Sequence, residues 1–283
     1  MFRQGAFVNI LRPGSMRWKD ALKKIERFPS LGHVELWFEH IPRGDELRDI
    51  RNVFRNVPVI IHGPFIHTSL LSHLPEVVDV TIRRFRETVE LASSMQARVV
   101  TFHAGPYPLF FERSEVVEML AERFRVFSEL TDPIATLENM PIKSHGTVRE
   151  AIGKLADYDE VLRVLPDLRF TLDIGHCLQN EDNFISFIKR HSSRIENIHL
   201  HDGIAGGKGH LRLGDGSLDL EKFLDVLIKV GFDRNVSIET ISSHDTSSSW
   251  DTLCKAELAK GIQCGHDVPP TSSWSISELR GAR

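Results

Sequence analysis

The sequence predicts an α/β fold, a (β/α)8 TIM barrel, on three observations. Eight short runs rich in β-branched residues recur along the chain, interleaved with stretches of helical period, as parallel strands joined by helical crossovers require. The 283 residues hold eight such units in the span of about 250 that a barrel uses. Most of the runs end in a carboxylate or an imidazole, and barrels gather their functional groups at the C-terminal ends of the strands. A doubly wound open sheet would need a Gly-rich phosphate turn after the first strand, and Val8-Asn9-Ile10-Leu11-Arg12 offers none.

The first strand is read at Gly5 to Ile10, followed by a helix near Ser15 to Phe28 with Ser15 as its N-cap. His33 to Phe38 is the second strand and Val57 to His62 the third. A long polar-faced helix from about Pro75 to Met95 leads to the fourth, Arg98 to His103. Ile134 to Glu138, Arg169 to Asp173, Ile195 to His201 and Asn235 to Glu239 complete the set, with helical patterns at Val148–Leu165, Phe184–Arg190 and Leu218–Val230. Ser242 to Trp250 is rich in Ser, Thr and Asp, a weak helix is expected from Asp251 to Lys260, and the composition from Cys264 onward is turn-like. One barrel over residues 1–262 with a loose tail at 263–283 is the expected organisation.

Composition bounds the function. With 41% hydrophobic residues the chain fills a sizeable core, and 35 Lys+Arg against 39 Asp+Glu leave a formal charge of −4, so no overall basic field draws it to nucleic acid. No apolar run approaches the roughly 18 residues of a spanning helix, and the stretch Ala6 to Leu11 is too broken for a signal peptide. Three cysteines, Cys177, Cys254 and Cys264, form neither a CxxC pair nor a dense scaffold, which suits a cytoplasmic protein. Cys177 is read as a small packing residue. The 14 histidines stand out, because imidazole is the commonest metal ligand.

Their placement is one-sided. Strand three ends in His62, strand four in His103, strand five in Glu138, strand six in Asp173 with His176 just beyond, strand seven in His199, His201 and Asp202, and strand eight in Glu239; His210 follows in the next loop. One such group alone is as well explained by a helix cap or a hydrogen-bonded core histidine. Six strands ending this way on one face call for mutual compensation, and a cation turns these groups into ligands. A mixed N/O set points to zinc, manganese, cobalt or iron rather than calcium. Trp37 and Phe38 close strand two, and alternation puts Glu35 and Glu39 on the side of Trp37. The Gly206-Gly207-Lys208-Gly209 run lacks the features of a phosphate-binding P-loop and reads as a βα-loop able to close over substrate.

In order, HGPF from His62, TFHAGP around His103, LENMP around Glu138, TLDIGH from Thr171 to His176, IHLHDG around His199, HLRLGDG from His210 and SIET ending at Thr240 resemble the xylose isomerase-like barrel superfamily, which unites endonuclease IV with sugar and sugar-phosphate isomerases and epimerases. The resemblance covers roughly Gly5 to Thr240. It implies a shared ligand core of Glu138, Asp173, His199 and Glu239, which in the isomerases and epimerases holds one divalent ion, with Glu138 and Glu239 as the acid/base pair. The endonuclease IV-like members add ligands that map onto His62 and His103 for one zinc and onto His176 and His210 for another, with Glu138 bridging. One endonuclease ligand is replaced by Lys208, a cation that opposes a third ion and could instead meet a substrate phosphate. One or two ions, Zn or Mn, are therefore expected. The segment Gly63-Pro64-Phe65-Ile66-His67 lacks the Tyr-Leu wedge and arginines that abasic-site recognition needs.

Two chemistries follow. The first expectation is a metal-dependent isomerase or epimerase acting through an enediolate on a small sugar, polyol ketone or sugar phosphate, with His201, Lys208, Trp37 and Asp202 contacting substrate. The alternative is a di- or tri-zinc phosphoesterase, in the limit an abasic-site endonuclease, for which alone duplex DNA is the partner. A non-catalytic sugar- or nucleotide-binding barrel is the third reading. Neither a membrane nor a defined oligomer is implied.

Overall fold

The structure, a computed structural model, describes residues 2–9, 31–142 and 146–262. The expected helix at Ser15–Phe28 with its Ser15 cap, the end of strand one at Ile10 and the tail from 263 onward lie outside these residues.

Eight parallel strands form the wall of the fold: β1 (Arg3–Asn9), β2 (His33–Trp37), β3 (Val59–His62), β4 (Val99–Phe102), β6 (Ile134–Glu138), β8 (Arg169–Asp173), β9 (Ile195–Leu200) and β10 (Asn235–Ile238). They close into a barrel in the order β1-β10-β9-β8-β6-β4-β3-β2. All eight coincide with the runs read from the sequence, to within two residues at either end. Alternate residues face out to the helices: Leu36, Ile61, Phe102, Leu137, Leu172, Ile198 and Ile238 are fully buried between sheet and helix layer.

The crossover helices are α1 (Gly44–Phe54), α2 (Pro75–Ser94), α3 (Arg113–Ser128), α4 (Leu155–Leu162), α5 (Ile174–Gln179), α6 (Phe184–His191), α7 (Leu220–Val230) and α8 (Ser243–Ala259). Pro75 opens α2, where its missing N–H costs nothing. Asn183 and Asp219 cap α6 and α7 by accepting from the backbone N–H of Ser186 and Lys222. Helix α7 ends on Gly231 at φ 64°, a left-handed position that favours glycine.

Two elements differ from the sequence reading. Val148–Glu150 is not the start of a helix but a short strand, β7, paired antiparallel with β5 (Pro106–Pro108). The helix starts only at Leu155, where the Asp157 carboxylate accepts from the N–H of Gly153 and Lys154. Helix α8 begins at Ser243, well before Asp251. Ser242 accepts from the Asp245 N–H, and Thr246, Ser249, Trp250, Leu253 and Glu257 form its buried stripe. Small polar residues on that stripe hid the helical period. Cys177 is a buried free thiol, whereas Cys254 on α8 is disulfide-bonded, which the reading of a reducing compartment did not lead us to expect.

Candidate metal centre

Because β-strand side chains alternate, a residue two before a strand-end ligand also points into the barrel. Thr101 precedes His103, Thr136 precedes Glu138, Thr171 precedes Asp173, Asn197 precedes His199, and Ser237 precedes Glu239. Together with Glu35 of β2 they form a buried polar layer beneath the strand ends, in place of the branched aliphatics that usually fill a barrel. The layer satisfies itself: Thr171 Oγ1 lies 2.8 Å from Thr101 Oγ1 and 2.7 Å from Thr136 Oγ1, and Ser237 donates to Asn197 Oδ1 at 3.2 Å.

Above that floor, three groups of side chains converge, the donor atoms within each lying within 4.8 Å of one another: His62, His103 and Glu138; Glu138, Asp173, His199 and Glu239; and His176, His201 and His210. Glu138 belongs to two of them. Its Oε2 is 3.3 Å from His62 Nε2 and 3.1 Å from His103 Nε2, and its Oε1 is 3.2 Å from His199 Nδ1. Glu239 Oε2 is 2.9 Å from the same His199 nitrogen. Asp173 does two jobs. Its Oδ1 accepts the His176 N–H at 2.6 Å and so starts α5, while Oδ2 faces His201 Nε2 at 3.1 Å.

The electrostatics follow from burial against mutual attraction. Burial would raise the pKa of Glu138, but His199 and His103 outweigh it and hold the carboxyl well below its usual range. Asp173 is held at about 2 by His176 and His201 despite its burial. Burial opposes charge on His199 and His62 too, yet the surrounding carboxylates win: Glu35, Glu138 and Glu239 raise His199 well above its ordinary value, and Glu138 raises His62. His201 is lifted to about 9, mainly by Asp173, whereas burial prevails at His176 and lowers it.

The residues present fit divalent cations. His62 Nδ1 donates to the Gly63 carbonyl at 2.9 Å, leaving Nε2 toward Glu138, and His199 turns Nε2 onto Glu35 at 3.0 Å, leaving Nδ1 toward the carboxylates. Ligating imidazoles are ordinarily anchored this way, through the nitrogen that does not bind metal.

Two residues expected to contact substrate lie elsewhere. His201 is fully buried, its ring stacked on that of His210 at 4.2 Å, within a ligand cluster. Asp202 is also fully buried, and its carboxylate accepts from the N–H groups of Gly203, Gly214 and Leu218, so it ties down the loop after β9. Lys208 is exposed on that loop, outside the three clusters. Trp37 is half-buried and stacks on Phe65 at 4.7 Å; Phe65 in turn stacks on His103 at 4.7 Å and donates its N–H to Glu39. These rings border the His62–His103 side of the centre.

The model of the xylose isomerase-like TIM barrel family matches residues 31–261. The chain belongs to this family. Uncharacterized protein MJ1311 of Methanocaldococcus jannaschii is 26% identical over 220 residues, 73% of this chain and 72% of its own. Among solved structures, a D-tagatose 3-epimerase-like protein superposes with a TM-score of 0.77 at 19% identity, covering 92% of this chain and 98% of its own. Endonuclease IV from Thermus thermophilus superposes at 0.65 with 13% identity, covering 91% and 99%. At these identities the solved structures establish the shared barrel fold. No described helix is long and apolar enough to cross a membrane.

Sequence reasoning missed Asn139, whose amide donates to the Asp173 carbonyl at 3.0 Å and accepts the Asp173 N–H at 2.8 Å, pinning that strand end. It also passed over the Thr/Asn/Ser floor, although the repeated triplets TFH, TLE, TLD, NIH and SIE announce it.

Proposed function

We propose that the protein is a divalent-metal-dependent isomerase or epimerase of a small sugar, polyol ketone or sugar phosphate. One observation carries this reading: Glu138 and Glu239 both face His199 Nδ1, at 3.2 and 2.9 Å, so two carboxylates meet at a single candidate ion site among the strand ends. Glu138, Asp173, His199 and Glu239 would hold the ion, which when bound polarises a carbonyl and its neighbouring hydroxyl. Glu138 and Glu239 are placed to take a proton from the carbon beside the carbonyl and to return one. The stacked Trp37 and Phe65 offer a flat apolar wall for a sugar face, and Lys208 on its exposed loop suits a substrate phosphate. The likeness to a D-tagatose 3-epimerase-like protein supports the substrate class.

The His62–His103–Glu138 cluster favours a second reading, a phosphoesterase using two ions that share Glu138, with duplex DNA as partner; the endonuclease IV likeness supports it. The test is to load the protein with Mn2+ or Zn2+ and incubate it in D2O with ketohexoses, following loss of the proton beside the carbonyl by NMR. Bis(p-nitrophenyl) phosphate and an abasic duplex are run in parallel. Exchange that disappears in Glu239→Gln is the expected result. Phosphodiester cleavage without exchange would move the assignment to the second reading.

A further inference from the structure

Glu35 has no place among the ligand clusters, yet it is a fully buried carboxylate in the middle of the barrel. It sits on β2, which is separated from β9 around the wall by β1 and β10, so it reaches β9 only through the interior. There it meets two residues of β9 and one of β4. Oε2 accepts from Asn197 Nδ2 at 2.8 Å, and Oε1 lies 3.0 Å from His199 Nε2 with Thr101 Oγ1 donating at 3.4 Å. The contact with Asn197 is part of a continuous column. His33 Nε2 is 2.8 Å from Ser237 Oγ, which donates to Asn197 Oδ1, so the amide of Asn197 is oriented with its NH2 group toward Glu35.

A carboxylate accepts and does not donate, so the hydrogen on His199 between these groups must sit on Nε2. Without an ion, Nδ1 also carries a hydrogen, toward Glu138 and Glu239; an ion among those carboxylates displaces that hydrogen and leaves the one that Glu35 holds on Nε2. We propose that Glu35 is a positioning residue of the metal centre: from beneath, it fixes His199 as the Nε2–H tautomer and so makes Nδ1 the ligand atom, while its negative charge strengthens that ligand.

This rests on the reading of Glu138, Asp173, His199 and Glu239 as an ion site. A pinned ring also loses less freedom when an ion binds, so the contribution falls on affinity and geometry rather than on proton transfer itself. Groups that orient a ligating histidine contribute about 10- to 100-fold in metal affinity when removed. Glu35→Gln is nearly isosteric and can present its amide oxygen to Nε2–H, retaining the tautomer without the charge; Glu35→Ala removes both.

The experiment uses the full chain, stripped with chelator and titrated with Zn2+ and with Co2+. Long-range 1H–15N correlation on the zinc-loaded wild type reads which nitrogen of His199 is bound, assigned by its loss in His199→Gln. The expected result is an Nδ1-bound, Nε2-protonated His199, zinc affinity lowered about 10- to 100-fold in Glu35→Ala and by less in Glu35→Gln, and a changed Co2+ d–d spectrum in Glu35→Ala only. Ligation through Nε2 in the wild type overturns the proposal without any variant having to fold. Wild-type affinity in both variants also overturns it, leaving the ion site intact. A wild type that takes up no ion at His199 overturns the site reading and this proposal together.

Discussion

Glu257→Gln is expected to abolish a pH dependence of stability that the wild-type chain carries. Glu257 lies on α8 at the opposite end of the barrel wall from the metal centre, is 1% exposed, and receives one hydrogen bond, from the Gln4 side chain on β1. Its other oxygen has no hydrogen-bond partner among the described residues. Burial pushes its pKa up from 4.5 to about 7, against the small opposing pull of Gln4. Between those two pH values the folded chain holds a proton that the unfolded chain has released, so stability falls as pH rises from about 4.5 to 7 and stays lower above. A shift of that size is worth about 3 kcal/mol at most. Screening near the end of the helix reduces it, and we take about 1–2 kcal/mol. Gln cannot ionise. The gap between the two proteins should therefore widen from pH 5 to pH 8.5, by about 1–2 kcal/mol in favour of the variant, or roughly 2–4 °C in Tm per kcal/mol. Urea unfolding of chelator-treated protein at several pH values from 5 to 8.5 measures the difference directly. A difference that does not change with pH, or one that moves against the variant as pH rises, refutes the assignment.

Zinc binding near pH 7 should release at least one proton per chain, because His62, His199 and His201 have raised pKa values in the ion-free centre and ligands must bind deprotonated; calorimetry in buffers of different ionisation enthalpy reads this, and no release contradicts it. In chelated protein the His201–Asp173 pair stabilises below the unfolded value of 6.5, and that stabilisation is lost as pH rises through about 9, so His201→Asn should flatten the stability profile between those limits. Gly175→Ala would place a methyl group on the His201 ring, and ion content should fall even where the melting curve is retained; unchanged ion content sinks that reading. Tyr158 donates to the carbonyls of Leu137 at 2.8 Å and Thr171 at 3.2 Å from full burial, and Tyr158→Phe should cost about 1–2 kcal/mol in denaturant unfolding.

The barrel was legible because the strands concentrate β-branched and apolar residues in four to seven positions, and six of the eight end on, or one residue before, a carboxylate or imidazole, a pattern that survives without tertiary information. What failed were elements whose signal lies in pairing. Val148–Glu150 is too short to declare itself, and it becomes a strand only because Pro106–Pro108 lies beside it. The α8 stripe uses Thr246 and Ser249 where a helical pattern would show aliphatics. For the site, position at a strand end singled out His62, His103, Glu138, Asp173, His199 and Glu239, whereas His176 and His210 lie just beyond strands and were implied as ligands by the resemblance. Strand-end position does not separate substrate contacts from ligands or loop anchors: His201, on the face of His199, joins the His176–His210 cluster, and Asp202 turns onto the N–H groups of its own loop. Glu35 was noticed on the right face, but its partner lies across the barrel, a relation no local pattern encodes.

Charge arranges the three clusters in order of their hold on cations. Glu138, Asp173 and Glu239 put three carboxylates around His199; the His62–His103 cluster has only its share of Glu138; His176, His201 and His210 offer none of their own. Attraction between unit charges at these separations is several kcal/mol even at the effective dielectric of about 20 that suits protein sites, so carboxylate number dominates differences among imidazole sets. The first divalent ion is therefore expected with Glu138, Asp173, His199 and Glu239. With an ion there, Glu138 would have less charge to offer the His62–His103 cluster, which would then hold a second ion more weakly. The all-imidazole cluster would fill last, and only after His201 gives up the proton it shares with Asp173. At limiting metal the expected occupancy is therefore one ion, seated where Glu138 and Glu239 meet at His199, and the proposed isomerase chemistry would need no other; a first equivalent bound instead at His62 and His103 would overturn this order.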